Sequence, residues 1–269
     1  RMESRIDHAA KKWELGHFEE IYRHPTKAVF SAQSRQFGPV ILKIDRNIGQ
    51  LKSEHHMLAG LSGAYNCKVY AYEENAGLLL EERIIPGTVL RREASLEKRI
   101  RIFSGVFGGI HLPAEEGGTY LDWLEGICGY CRQNPVAGEL LDLAVQARGV
   151  CAEMFGRYPD RVLLHGDLQH DNILSRTDGS YAMIDPKGVI GPAIMDLPRF
   201  ILNELDTDHT CPEGEHIREV IRLLGLQTGY PEADIGRLFF METVLENIWC
   251  VEDGEVANRQ ELEVAGLFL

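Results

Sequence analysis

The chain has 269 residues, 44% hydrophobic and 26% charged side chains, and a formal net charge of −13. A chain this long buries roughly 70–75% of its unfolded surface without staples, and its ordinary composition excludes disordered, collagen-like and coiled-coil classes. The acidic balance excludes a nucleic-acid partner bound by phosphate neutralisation, and no apolar run nears the roughly 18 residues of a membrane-spanning helix.

At the N-terminus, Arg1–Asp7 lacks the apolar core of a signal peptide, and Met2 reads as the natural start. The six cysteines are scattered, so reduced thiols and a cytoplasmic location are expected. Residues 1–82 hold 11 basic and 11 acidic side chains, so the whole charge deficit falls in the remainder. An acidic surface serves solubility, and an acidic cleft would concentrate a cationic substrate.

Short β-type runs are predicted at 18–22, 27–33, 40–44, 68–72 and 78–83. Between the third and fourth, Ile48, Leu51, His55, Leu58 and Leu61 recur at helical spacing. After Pro86-Gly87 the pattern turns helical, at 96–111, 139–155, 192–204, 214–228 and 231–251, around one strand island at 161–185. The expected fold is α+β: a small five-stranded antiparallel lobe with one helix (residues 1–82), a hinge at 81–87, and a larger helical lobe (83–269). A cleft between two such lobes is a common ligand site. Cys128 and Cys131 sit one helical turn apart with no second ligand pair, which predicts buried structural thiols.

The island holds the chemistry. His165-Gly166-Asp167 precedes Asn172, and Ile184-Asp185-Pro186-Lys187-Gly188 follows a turn containing Asp178-Gly179. A two-residue turn closing on Asp178-Gly179 would set Asn172 opposite Asp185, pairing an amide oxygen with a carboxylate as hard ligands for Mg²⁺. Asp167, five residues before Asn172, would accept a proton from a substrate hydroxyl. Asp-x-x-x-x-Asn followed by an Asp on the next strand is the constellation of kinase-type phosphoryl transfer.

These residues resemble the aminoglycoside phosphotransferase branch of the protein-kinase-like fold. The wording His-Gly-Asp-Leu-Gln-His-Asp-Asn and Ile-Asp-Pro-Lys-Gly is most similar to the aminoglycoside/hydroxyurea resistance kinases, which include streptomycin 6-phosphotransferases. The resemblance implies ATP and Mg²⁺ as cofactors, Asp167 as catalytic base, and Asn172 and Asp185 as metal ligands. Lys187 would offset developing negative charge or pair with a nearby acid, and Asp196 would brace the catalytic loop. In the first lobe, the resemblance asks for a lysine on the third strand and a glutamate on the next helix, which Lys43 and Glu54 supply. The phosphate turn corresponds to His24-Pro25-Thr26-Lys27, with Thr26 and Lys27 in place of a glycine-rich loop. Glu82 and Ile84 would offer backbone groups to adenine.

The implied acceptor is a small hydroxyl compound, cationic and streptomycin-like. Asp122, Glu246, Trp249, Glu252 and Asp253 are its candidate contacts, since paired carboxylates suit guanidinium groups. Other kinases of the fold act on sugars, choline or homoserine. Two readings from other classes compete. A catalytically inactive nucleotide-binding module would lack one of the catalytic groups, and all are present. A metal-dependent hydrolase would use His165, Asp167, His170 and Asp171, and it leaves Lys43, Glu54, Asn172 and Asp185 unexplained.

Overall fold

The computed structural model describes residues 2–269. Helix α1 (Met2–Lys12), strands β1 (Leu15–Arg23), β2 (Lys27–Ser34) and β3 (Gly38–Asp45), helix α2 (Ile48–Gly60) and strands β4 (Val69–Glu73), β5 (Leu78–Glu82) and β6 (Pro86–Val89) come first. Helix α3 (Leu96–Phe107), the short strand β7 (Leu112–Pro113), helices α4 (Tyr120–Gln133) and α5 (Leu141–Arg157) and strand β8 (Val162–Leu164) follow. Strands β9 (Ile173–Arg176), β10 (Tyr181–Met183) and β11 (Val189–Gly191) lead to helices α6 (Pro198–Glu204), α7 (Glu213–Thr228), α8 (Glu232–Glu252) and α9 (Arg259–Gly266).

The chain forms two compact units. The first runs to Val89 and takes in Ile173–Gly188; the second comprises Leu90–Asn172 and Val189–Leu269. This division differs from the one expected between residues 82 and 83. β6 pairs with β9, and the β9–β10 hairpin is tied to Tyr65 and Cys67 by Met183 backbone bonds of 2.8 and 3.1 Å, so the hairpin joins the first unit.

In the first unit the five expected strands form one antiparallel sheet in the order β1-β2-β3-β5-β4, with α2 inserted after the third. Successive side chains of a strand point to opposite faces. Val40, Leu42 and Ile44 of β3 and Leu78 and Leu80 of β5 join Ala9 and Trp13 in one apolar core. The opposite phase brings out Lys43 and Glu81. Lys43 pairs with Leu79 and Ile41 with Glu81, so the two charged side chains are diagonal neighbours on one face. α2 starts at Asn47, whose side chain accepts from the Gln50 amide at 3.2 Å, and buries Leu51, Glu54, Met57 and Leu58.

The second unit is organised on α8. Ile235, Leu238, Phe239, Phe240, Met241, Val244, Leu245 and Ile248 are buried around it, as befits a helix packed on several sides by α4, α5, α6, α7 and α9. Each such side chain contributes about 1.5–3 kcal/mol of burial. Among the described residues no helix is long and apolar enough to cross a membrane.

The island departs from the expected register. Arg176 N donates to Ser180 O at 2.8 Å, so the β9–β10 loop holds three residues and the ladder runs from Ser175–Tyr181 to Ile173–Met183. Gly179 takes a φ of +83° and closes this longer turn. Asn172 consequently lies outside the ladder, in a 3₁₀ turn over His170–Asn172, and is not the cross-strand partner of Asp185.

Candidate active site

In the first unit Lys43, 3% exposed, meets three carboxyl groups rather than the one expected. Its ammonium donates to Glu54 and to Asp185, and lies 2.9 Å from Glu81 Oε2. Burial pulls the Lys43 pKa down, but the three acids outweigh it and hold the ammonium charged well above its ordinary value. Asp185 feels the converse. Desolvation pushes its carboxyl up, while Lys43, Lys27 and Lys187 pull it to about 2. Asp185 sits at φ +60°, a left-handed conformation that aspartate tolerates better than most residues. Gly188 ends the same loop at φ +66°, where a Cβ would come within 2.9 Å of the Ser53 carbonyl oxygen on α2. Glycine there lets the Asp-Pro-Lys-Gly loop lie directly on the helix that carries Glu54.

Glu81 joins this cluster beyond the residues expected from the sequence. Its strand phase, inward like Lys43, was the available signal. It is 2% exposed and its Oε1 lacks a hydrogen-bond partner. Burial raises its pKa to about 8 despite the opposing pull of Lys43. Between the ordinary glutamate value and about 8 the folded protein thus binds more protons than the unfolded chain, so Glu81 lowers stability as pH rises. Glu81→Gln should flatten the fall in stability between pH 5 and 8, which one titrating group limits to about 1.4 kcal/mol per pH unit. Denaturant melts across that range test this, and parallel profiles for the two proteins would refute it.

The expected phosphate turn is closed on itself, with His24 N donating to Lys27 O at 2.7 Å and Lys27 N to His24 O at 3.3 Å. Thr26 Oγ1 meets His24 Nδ1 at 3.0 Å, and the Lys27 charge helps hold the Asp185 carboxyl down. The Glu82 carboxylate accepts from Lys68 N and Arg176 Nη2, each at 3.0 Å, and Ile84 is buried just beyond β5.

In the second unit the loop after β8 is braced at several points. Asp196 accepts from the backbone N–H of His165 and of Gly166, both at 2.8 Å, and meets His111 Nε2 at 2.9 Å. This is the bracing role expected of Asp196. The buried His165 ring accepts from Asp167 N at 3.1 Å, and Gly166 takes φ +74° to turn the chain there. Asn172 Nδ2 donates to Asp167 O at 2.8 Å and to Asp167 Oδ2 at 3.2 Å. Its Oδ1 is therefore the atom it can offer a cation. Further along, His170 Nε2 meets Glu204 at 2.6 Å, Arg99 grips Glu204 with two bonds of 2.8 and 2.7 Å, and Arg91 clamps Asp171. The two loop histidines are thus occupied within the fold. Among the described residues the one cluster of metal-ligating type is Glu54, Glu81 and Asp185, which contains neither histidine.

The proposed acceptor residues divide. Glu246 Oε2 lies 2.5 Å from Arg199 Nη1, and the Arg199 guanidinium carbon stands 5.9 Å over Trp249. Arg199 also meets Glu242 at 2.6 Å and Asp167 at 3.7 Å. Trp249 packs edge-on against Trp123 at 5.3 Å. These contacts bring Glu246 and Trp249 to the same cluster as Asp167. Asp122 instead completes a capping box at the start of α4, accepting from Thr119 N at 2.7 Å and Oγ1 at 2.9 Å. Asp122→Ala should cost about 0.3–1.5 kcal/mol of stability and leave the acceptor KM unchanged. A raised KM at unchanged melting temperature would return Asp122 to the site. Glu252 and Asp253 lie exposed at the C-terminal end of α8. Arg199, Glu242 and Glu204 carry no local sequence signal, since their partners come from distant helices.

The Cys128 and Cys131 thiols are buried on α4, and burial raises both pKa values, as expected of structural thiols.

Comparison with known proteins completes the picture. The chain is 24% identical over 230 residues to streptomycin 3''-kinase of Klebsiella pneumoniae, covering 80% of this chain and 81% of that protein. Its structure resembles choline kinase from Streptococcus pneumoniae (TM-score 0.68, 17% identity, 99% and 98% of the two chains). It also resembles an aminoglycoside phosphotransferase solved with AMP-PNP and hygromycin B (TM-score 0.67, 14% identity, 97% and 94%). These likenesses establish the protein-kinase-like fold. Residues 12–254 match the aminoglycoside/hydroxyurea antibiotic resistance kinases, and the protein, a small-molecule kinase, belongs to that family.

Proposed function

We propose that the protein transfers the γ-phosphate of Mg²⁺-ATP to a hydroxyl of a cationic, streptomycin-like acceptor, with Asp167 as general base. The observation that carries this reading is the hold on Asp167: a carboxylate fastened by Asn172 on a loop that Asp196 fixes through two backbone bonds. Structural neighbours bound to AMP-PNP and AMP support an adenine nucleotide as donor. Lys43 contacts the phosphates and Glu54 aims it, while Thr26, Lys27 and the Lys187 charge assist. Glu82 and Ile84 offer backbone groups to adenine.

The donor set fits a hard divalent cation. Asn172 offers Oδ1, and Asp185 stays ionised with a side chain 42% exposed. Mg²⁺ held by these two would neutralise phosphate charge. Asp167 orients the acceptor hydroxyl and takes its proton as the oxygen bonds to the γ-phosphorus. The bond from that phosphorus to the β-bridging oxygen breaks, and ADP leaves. Catalysis of this kind is mostly positioning and charge neutralisation. Dependence on ATP and four buried free thiols suit a cytoplasmic enzyme.

The acceptor side carries Glu246 beside Trp249 and Trp123, a pairing of carboxylate and aromatic faces that suits a guanidinium or ammonium group. The same pairing supports a second reading, a quaternary ammonium alcohol such as choline. Mass spectrometry on streptomycin, other aminoglycosides, hydroxyurea, choline and homoserine with Mg²⁺-ATP separates the two. Streptomycin gaining one phosphoryl group is the expected result. A product from choline or homoserine with none from streptomycin would replace the first reading by a metabolite kinase.

A further inference from the structure

Arg199, on α6, is 8% exposed, and its guanidinium is gripped from several directions. Nη1 lies 2.5 Å from Glu246 Oε2, Nη2 lies 2.6 Å from Glu242 Oε1, and the plane stands over Trp249. Behind it the Tyr120 hydroxyl donates to Glu242 Oε2. These contacts leave Nε, a buried donor with no hydrogen-bond partner in the structure. It lies 3.7 Å from Asp167 Oδ1, beyond the 2.7–3.2 Å of a hydrogen bond, so a shift under about 1 Å would close the gap. The other carboxylate oxygen, Oδ2, accepts from Asn172 at 3.2 Å. Arg199 Nε thus stands beside Oδ1 while Asn172 Nδ2 is bonded to Oδ2.

We propose that Arg199 is a positioning residue for Asp167, its Nε–H directed at Oδ1 so that Arg199 and Asn172 together fix the rotation of the carboxylate. The inference rests on the reading of Asp167 as the base. A free carboxylate rotates about its last side-chain bond, and a base that must meet one hydroxyl proton gains from having that rotation stopped. Arginine suits the task because its planar fork meets Glu246 with Nη1 and Glu242 with Nη2 and still presents Nε–H at a set angle. A lysine would keep the charge and lose the angle. If Arg199 were only an anchor between α6 and α8, Arg199→Lys would lower kcat only in step with melting temperature and ATP affinity.

The test compares Arg199→Lys and Arg199→Met with the native protein, with Asp167→Asn as control. Turnover is read on streptomycin with Mg²⁺-ATP and, without acceptor, as slow hydrolysis of Mg²⁺-ATP. Melting temperature and the Kd for Mg²⁺-ATP are measured beside it. The expected result is a fall in kcat of about 10-fold for Arg199→Lys and about 100-fold for Arg199→Met, with ATP affinity within about twofold of native. Native kcat in Arg199→Lys overturns the inference, and so does a kcat that falls only together with ATP affinity. If Arg199→Met does not fold, Arg199→Lys decides by the same criteria. An active Asp167→Asn protein, or a native protein inactive in both assays, removes the reading of Asp167 and the inference with it. A dead Asp167→Asn beside a fully active Arg199→Lys removes the inference alone.

Discussion

Asp167→Asn is expected to lower kcat by about 10²–10⁴, the usual contribution of a general acid–base group, while the Kd for Mg²⁺-ATP stays within about twofold. The substitution is nearly isosteric, and the supports of the loop survive it. Asp196 holds the backbone N–H of His165 and Gly166, and the His165 ring holds the Asp167 N–H. Asn172 reaches the Asp167 carbonyl oxygen at 2.8 Å, a bond that does not need the carboxylate. What is lost is the acceptor for the hydroxyl proton, together with the negative charge that faces Arg199 at 3.7 Å. The melting temperature should therefore stay close to native while single-turnover phosphate transfer collapses. Near-native transfer would take Asp167 out of the base role. A native protein that binds Mg²⁺-ATP and never turns over would point instead to the inactive-module reading.

Much of this machinery is legible without coordinates, for definite reasons. The alternation in β3 and β5 makes the first unit readable, because one phase is apolar and the other carries Lys43. Glu54 follows at helical distance on an α2 whose cap is also in the sequence. The short-range wording around Asp167 and Asn172 survives as a real loop. The register between Asn172 and Asp185 does not, because two- and three-residue turns containing Asp-Gly look alike until Gly179 is seen closing the longer one. Helix α1 is short of long apolar runs, yet Met2, Ile6 and Ala9 recur at helical spacing and lead to Trp13 in the core, so its stripe is legible too. α9 buries only Ala265. The supporting acids are hidden for another reason. Glu204 serves Arg99, His170 and His216, and Glu242 serves Arg199 and Tyr120, across up to 122 residues of chain. No local pattern encodes such pairings; they exist only once the helices have packed.

Lys43→Met should damage the protein twice over, and the two losses are separable. Transfer should fall by about 10²–10³, the scale of removing one preorganised charge from a site where negative charge must be neutralised. Stability should fall too, by about 3–5 kcal/mol near neutral pH, because Glu54, Glu81 and Asp185 would be left without their shared cation. The pH dependence gives this second loss a signature. In the native protein the Asp185 carboxyl is held at about 2, against an ordinary 3.8, so its contribution is present above 3.8 and is lost as pH falls through 2. Without Lys43 that contribution vanishes and the crowded acids take up protons more readily. The stability gap between native and variant should hence be widest above pH 5 and shrink towards pH 2. Adding Glu81→Gln to Lys43→Met removes one of the three stranded acids, so it should recover part of the stability at pH 8 and none of the transfer. Denaturant melts at several pH values, with transfer assays alongside, measure both. Recovery of stability and transfer together would reduce Lys43 to a structural counter-ion. Equal native and variant stability at pH 8 would mean that the three acids do not depend on it at all.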